Sequence, residues 1–227
     1  MNQLVKKSHE LVMGKFSFSL LELRLFSLIV SMIDDRDEDF KTYRIAVKDM
    51  MKTFNLKSKT IYAEIQQVTT SMLKKIIVIP VQEEGVQKEI KSTLMSSFKY
   101  EVSGRGVIEA TFNPILKPYL LQLKSKFLLY NLSNILQISS ATSIRIFELL
   151  KTFEGVKQKT FSLQELKEIL GVENSYSKYS NFKNKILLKS QKDLEMFTDI
   201  RFTFKEISEN SRRVEKIQFS IHPNTPT

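Results

Sequence analysis

The chain repeats itself, and that repeat constrains its fold more than any other feature. Residues 22–29 read ELRLFSLI and residues 143–150 read SIRIFELL, which sets Arg24 over Arg145 and Phe26 over Phe147 at an offset of 121 residues. A second match follows each: AVKDMMKTFNL from Ala46 to Leu56 against SLQELKEILGV from Ser162 to Val172, at an offset of 116. Both are short helices with a small or hydroxyl residue ahead of them. A third helix opens near Tyr62 and again near Tyr179, and each half then runs into β-rich sequence. The order helix, helix, helix, strands occurs twice. The alternative is an α+β protein with an accidental similarity of eight residues, but an accident does not keep two matches in one order at nearly one offset.

Local patterns support that order. From Leu20 to Ile33 the apolar residues Leu21, Leu25, Leu28, Ile29 and Met32 recur at three- and four-residue steps, as a helix with one buried face requires. Ile144, Phe147, Leu150 and Phe153 repeat this between Ser139 and Phe153. Ser162 with Glu165 three residues on reads as a capping box, and Gly171 sits where a C′ glycine closes a helix. Strands are expected at Ile76 to Val81, Thr93 to Val102 and Val107 to Phe112, the last two joined through Ser103 to Gly106. The second half ends in Ile200 to Ile207 and Val214 to Ile221, a hairpin with Arg212 and Arg213 at its tip. Three helices and a terminal hairpin describe a winged helix-turn-helix. The expected fold class is therefore α+β, two tandem winged helix-turn-helix domains spanning 1–123 and 124–227. Ordinary globular composition, 42% hydrophobic and 26% charged, supplies a core for each.

The charge balance, 35 Lys and Arg against 25 Asp and Glu for a net +10, makes a polyanion the first partner to consider. Nucleic acid leads and an acidic membrane surface follows. On a helical wheel from Phe182, the apolar Phe182, Ile186, Leu194 and Phe197 share one sector with Ser190, while Lys178, Lys185, Lys189 and Lys192 share another beside Asn181. No acid occurs between Glu173 and Asp193. Lysines there reach phosphates, while Ser180, Asn181 and Asn184 near the helix start reach base edges, since asparagine pairs bidentately with adenine. A lysine face on a surface helix is common, so the stripe counts only together with Arg212 and Arg213 on the wing. The third helix of the first half is only modestly basic: opposite Ile61, Ile65, Val68 and Met72 it carries Lys59, Gln66, Gln67, Thr70 and Lys74, an accessory DNA face or plain solvent face. The hairpin from Thr93 to Phe112, with Leu94, Met95, Phe98 and Val102, has an edge suited to pairing with another copy of the chain, unless both its faces are covered internally.

Several function classes are excluded. With no cysteine and only His9 and His222, near opposite ends, no disulfide, thiolate metal site or paired-histidine motif can be written, and no metal or cofactor is expected. The acidic run Asp34, Asp35, Asp37, Glu38 and Asp39 has the spacing of a solvated loop after a helix. No P-loop occurs. No tyrosine is surrounded by the Arg and His residues that a nicking nucleophile needs. The apolar stretch from Leu20 to Ile33 is broken by Glu22 and Arg24 and is too short to span a bilayer, and no secretory signal is evident; a soluble, cytoplasmic, non-enzymatic protein is expected.

Taken together, SSATSIRIFELLKTF from Ser139 to Phe153, FSLQELKEILGV, NFKNKILLKSQKDLEMFTDIRFTF after Tyr179 and RRVEKIQFSI resemble the second winged helix of plasmid replication initiators, the iteron-binding RepB type. NQLVKKSHELV followed by LLELRLFSLIV is similar to their opening segment. The resemblance covers nearly the whole chain and is strongest from Phe127 to Ile221. It implies a non-enzymatic initiator that binds directly repeated origin sites in double-stranded DNA and engages host replication proteins. It also implies that the last long helix, here Ser177 through Lys192, enters the major groove, and that the first domain forms the homodimer, the dimer repressing its own promoter while the monomer initiates. This chain has fewer arginines on that helix than the family pattern. A tandem winged-helix transcription regulator would share the basic helix, but would add an effector pocket or an oligomerisation segment.

Overall fold

A computed structural model describes residues 3–57, 60–100, 106–208 and 213–226. Its contacts divide the chain into two units, one of Met1–Leu11 with Leu21–Leu132, the other of Val12–Leu20 with Ser133–Thr227. The expected boundary at 123/124 is corrected: it lies between Leu132 and Ser133, and the second unit also owns the strap Val12–Leu20. The cause is pairing between residues distant in sequence, which the local pattern does not carry.

The first unit runs Leu4–Ser8 (β1), His9–Val12 (α1) at its margin, Leu20–Val30 (α2), Tyr43–Ala46 (β2), Val47–Thr53 (α3), Ile61–Lys74 (α4), Ile77–Glu83 (β3), Val86–Ser92 (β4), Met95–Tyr100 (β5), Val107–Phe112 (β6), Lys117–Leu120 (α5) and Phe127–Asn131 (β7). β7 lies antiparallel to β1, Val5 opposite Tyr130, and this holds the segment after residue 123 in the first unit. β2, β6 and β5 form a three-stranded sheet in that order, and β3 with β4 a separate hairpin. α2 departs from the expected one-sided helix, since every residue from Glu22 to Val30 is buried. A helix buried on all sides also buries its charges, and Lys75 Nζ supplies the counter-charge to buried Glu22 at 2.6 Å. Phe112 anchors the core with Phe26, Phe40 and Tyr43 at ring distances of 6.1, 4.9 and 5.3 Å. Burying one such side chain contributes about 1.5–3 kcal/mol.

The second unit follows as Ser133–Leu136 (α6), Ala141–Thr152 (α7), Gln158–Ser162 (β8), Leu163–Ile169 (α8), Tyr179–Phe182 (α9), a π-helical stretch Lys183–Leu188, Lys189–Phe197 (α10), Ile200–Ile207 (β9) and Lys216–Pro223 (β10). Its sheet order, β8-β10-β9, is the order β2-β6-β5 of the first unit. In both, the strand ahead of the second helix pairs with the last wing strand. The repeat in the sequence is thus a repeat of the winged-helix topology, with β3 and β4 inserted in the first copy. The second helix is capped as its sequence requires: Ser162 Oγ accepts from Glu165 N at 3.0 Å, and at the far end Gly171 N and Val172 N donate to the carbonyls of Glu168 and Lys167. Gly171 takes φ +65°, and a Cβ there would lie 2.5 Å from the Phe16 carbonyl oxygen, so the glycine also makes room for the strap.

Arg145 holds the strap. Its Nη2 donates to the carbonyls of Val12, Gly14 and Ile169 at 2.9, 2.8 and 3.2 Å, and its guanidinium stacks 4.0 Å from the Phe16 ring centroid. A planar group with five donors suits this task, because one side chain satisfies several backbone acceptors and still stacks on a ring.

Candidate nucleic-acid interface

The third helix of the second unit is assembled from α9, the π-helical stretch and α10, which share right-handed helical backbone through their junctions. The wider i→i+5 turn advances each residue by less than the α-helical step, so a uniform wheel drifts across it. The buried set is Phe182, Ile186, Leu187, Ser190, Asp193 and Leu194, where the wheel lacks Leu187 and Asp193. Phe197 is only half-buried. Ser190 is buried because its hydroxyl meets Ser143 Oγ at 3.0 Å, fastening this helix to α7.

On the opposite face Lys178, Ser180, Asn181, Asn184, Lys185 and Lys192 are all exposed. Lys178, Lys185 and Lys192 make no ion pair among the described residues. Lys189 is different: half-buried, it lies 3.4 Å from Asp193 Oδ2 and donates to Ser139 Oγ at 3.4 Å. The stripe therefore holds three free ammonium groups and one already engaged. Of the wing residues, Arg213 is exposed, while Arg212 lies outside the described residues.

Sequence reasoning missed how this helix is tied to the wing. Gln191 Nε2 donates to the Phe202 carbonyl at 2.9 Å. Near the helix start, Tyr179 Oη donates to Glu206 Oε1 at 2.9 Å, and Lys183 Nζ lies 2.8 Å from the same oxygen. Lys183 lowers the Glu206 pKa, with a smaller contribution from Tyr179, while burial and the Glu206 carboxylate raise that of Tyr179. No local signal joins residue 206 to residue 179, because the pairing passes through the fold.

In the first unit the outer face of α4 exposes Gln66, Gln67, Thr70 and Lys74, which with Ala63, Ser71 and Lys75 line a shallow open groove. Lys59 lies outside the described residues. Val68, placed on the apolar face, is half-buried. Of the apolar residues named in the hairpin from Thr93 to Phe112, Leu94 and Met95 are buried, Phe98 is half-buried, and Val102 lies outside the described residues. The acids after α2 pair with bases, Asp34 with Arg36, Asp35 with Lys6, Asp37 with Lys41 and Asp39 with Lys117.

Two tandem winged helices with a basic, asparagine-bearing third helix match two family models in sequence. The model described as "Initiator Replication protein, WH1" covers residues 4–151, and that described as "Initiator Rep protein, WH2" covers residues 162–221. The chain belongs to the initiator replication protein family. A replication initiation protein of Escherichia coli is 23% identical over 234 residues, covering 96% of this chain and 69% of the relative. Among solved structures, the Pi initiator protein in complex with iteron DNA shares the fold with a TM-score of 0.78 and 18% identity, covering 99% of this chain and 98% of that one. Both winged-helix domains of the family are thus present, the first carrying the β3-β4 insertion. Among the described residues, no helix is long and apolar enough to cross a membrane.

Proposed function

We propose that this initiator acts without enzymatic chemistry, binding directly repeated sites in double-stranded origin DNA of a plasmid in the cytoplasm and engaging host replication proteins there. The observation that carries the reading is the exposed face of the third helix in the second unit, where Ser180, Asn181 and Asn184 stand among Lys178, Lys185 and Lys192, with Arg213 exposed on the wing. Lysines on such a face anchor the phosphates, and asparagines read base edges. In the first unit Gln66, Gln67, Thr70 and Lys74 form an accessory contact with less charge. The solved Pi initiator is bound to iteron DNA, and family membership across both domains favours an initiator over a transcription regulator of similar fold. The test is a binding titration on duplexes carrying the origin repeats against scrambled duplexes of equal length. Equal affinity for both refutes repeat recognition.

Asn181→Ala or Asn184→Ala is expected to cost about 1–3 kcal/mol on the repeat duplex and little on scrambled DNA, the value of one bidentate base contact. Equal losses on both would reassign the asparagine to the backbone.

The dimer is the finer part of the proposal: the first unit self-associates and the dimer represses its own promoter, while the monomer initiates. Because Leu94 and Met95 are buried in their own unit, the reading rests on the main-chain edge of β5, the outer strand of its sheet, rather than on apolar side chains. Exposed Ser96 lies on that strand. Across a two-fold axis Ser96→Glu sets two carboxylates against each other, so sedimentation of the full chain is expected to shift toward monomer. An unshifted equilibrium removes β5 from the interface.

A further inference from the structure

The charge that a DNA backbone meets differs from the charge written along the third helix. The sequence has no acid between Glu173 and Asp193, yet β9 brings Glu206 against the first turns of the helix, where it holds Lys183 and Tyr179 through one oxygen. Among the described residues of the first unit, the corresponding junction is closed without charge: Tyr100, the last residue of β5, bonds through its hydroxyl to Thr69 on α4. A neutral pair is enough to fasten a wing strand to a third helix. Among the described residues, an acid at this junction occurs only in the unit whose third helix is rich in lysine.

We propose that Glu206 is a charge-setting and positioning residue of the DNA interface, withholding Lys183 from the phosphate backbone and fixing the start of the reading helix through Tyr179. The proposal rests on the DNA-binding reading above and goes beyond it, because it assigns a negative group a role on a surface defined by positive ones. Each phosphate neutralised by a lysine releases counterions and lowers the slope of log K against log salt by about 0.9. With Lys183 paired internally, the free protein presents one cation fewer than its sequence suggests. Sequence-independent affinity, which is almost wholly electrostatic, is held down accordingly. Tyr179 immediately precedes Ser180 and Asn181, so its bond to Glu206 sets where those side chains stand relative to the wing.

The two roles separate by substitution in the full chain. Glu206→Gln keeps an acceptor for Tyr179 and removes the charge facing Lys183. It is expected to steepen the salt slope on scrambled duplex by about 0.9 and raise affinity about five- to tenfold at 0.1 M salt. Adding Lys183→Met to that variant should restore the wild-type slope. Lys183→Met alone should leave the slope unchanged, since this lysine is already engaged, and this second variant keeps the proposal falsifiable if Glu206→Gln folds poorly. Tyr179→Phe cuts the hydrogen bond and leaves the ion pair, so it should keep the slope but lower the preference for repeats over scrambled duplex. A wild type without salt-dependent binding overturns the DNA reading and this proposal together. Wild-type binding with an unchanged slope in Glu206→Gln, or a slope shallower by one contact in Lys183→Met alone, overturns this proposal only.

Discussion

Replacing Lys178, Lys185 and Lys192 together by alanine will weaken binding to any duplex by about two to three orders of magnitude at 0.1 M salt and make the salt slope shallower by about 2.7, three contacts at about 0.9 each. These three ammonium groups are exposed and unpaired among the described residues, so the whole charge of each is available to a phosphate. Lys189 offers the internal contrast. Its ammonium already lies 3.4 Å from Asp193, and Lys189→Ala alone should change the slope by clearly less than Lys185→Ala. The measurement is a fluorescence titration across several salt concentrations, with repeat and scrambled duplexes losing affinity alike because backbone contacts carry no sequence information. A triple variant that keeps the wild-type slope would take this helix out of the interface altogether.

Arg145→Ala will destabilise the second unit by about 3–5 kcal/mol, the cost typical of removing one partner from a buried charged network. The guanidinium is 4% exposed, lies 3.5 Å from the equally buried Glu148, and donates to three carbonyls, of which Val12 and Gly14 belong to the strap. Alanine withdraws the donor from all of them and removes the plane stacked on Phe16. At about 4–8 °C per kcal/mol for a unit of this size, thermal unfolding followed by circular dichroism should fall by more than about 12 °C. Lysine should not rescue it, because a point charge cannot bridge three carbonyls while stacking on a ring. A loss below about 1 kcal/mol would mean that the strap is held by its apolar residues alone.

The topology was readable along the chain because winged helices are built from local elements. The three- and four-residue steps of Leu21, Leu25, Leu28 and of Ile144, Phe147, Leu150, the cap at Ser162 and the turn at Gly171 each act within a few residues, and the repeat multiplied their weight. The exposed lysines and asparagines of the third helix were legible for the same reason: they lie opposite apolar neighbours one or two turns away. The π-helical stretch was not, since its wider turn has no composition signal, and Leu187 with Asp193 joined the buried face against the wheel.

By itself, then, the sequence determined the class of fold, the repeated order of three helices and a hairpin, and the helix whose exposed face carries lysines and asparagines. Tertiary structure alone decided where the domains divide, because β1 finds β7 across more than a hundred residues and Arg145 reaches back to Val12 and Gly14. It also decided which charges are free. Glu206 neutralises Lys183 from a strand, a proximity that periodicity along one helix does not encode, whereas Asp193 engages Lys189 from one turn along the same helix, a spacing the sequence already carries.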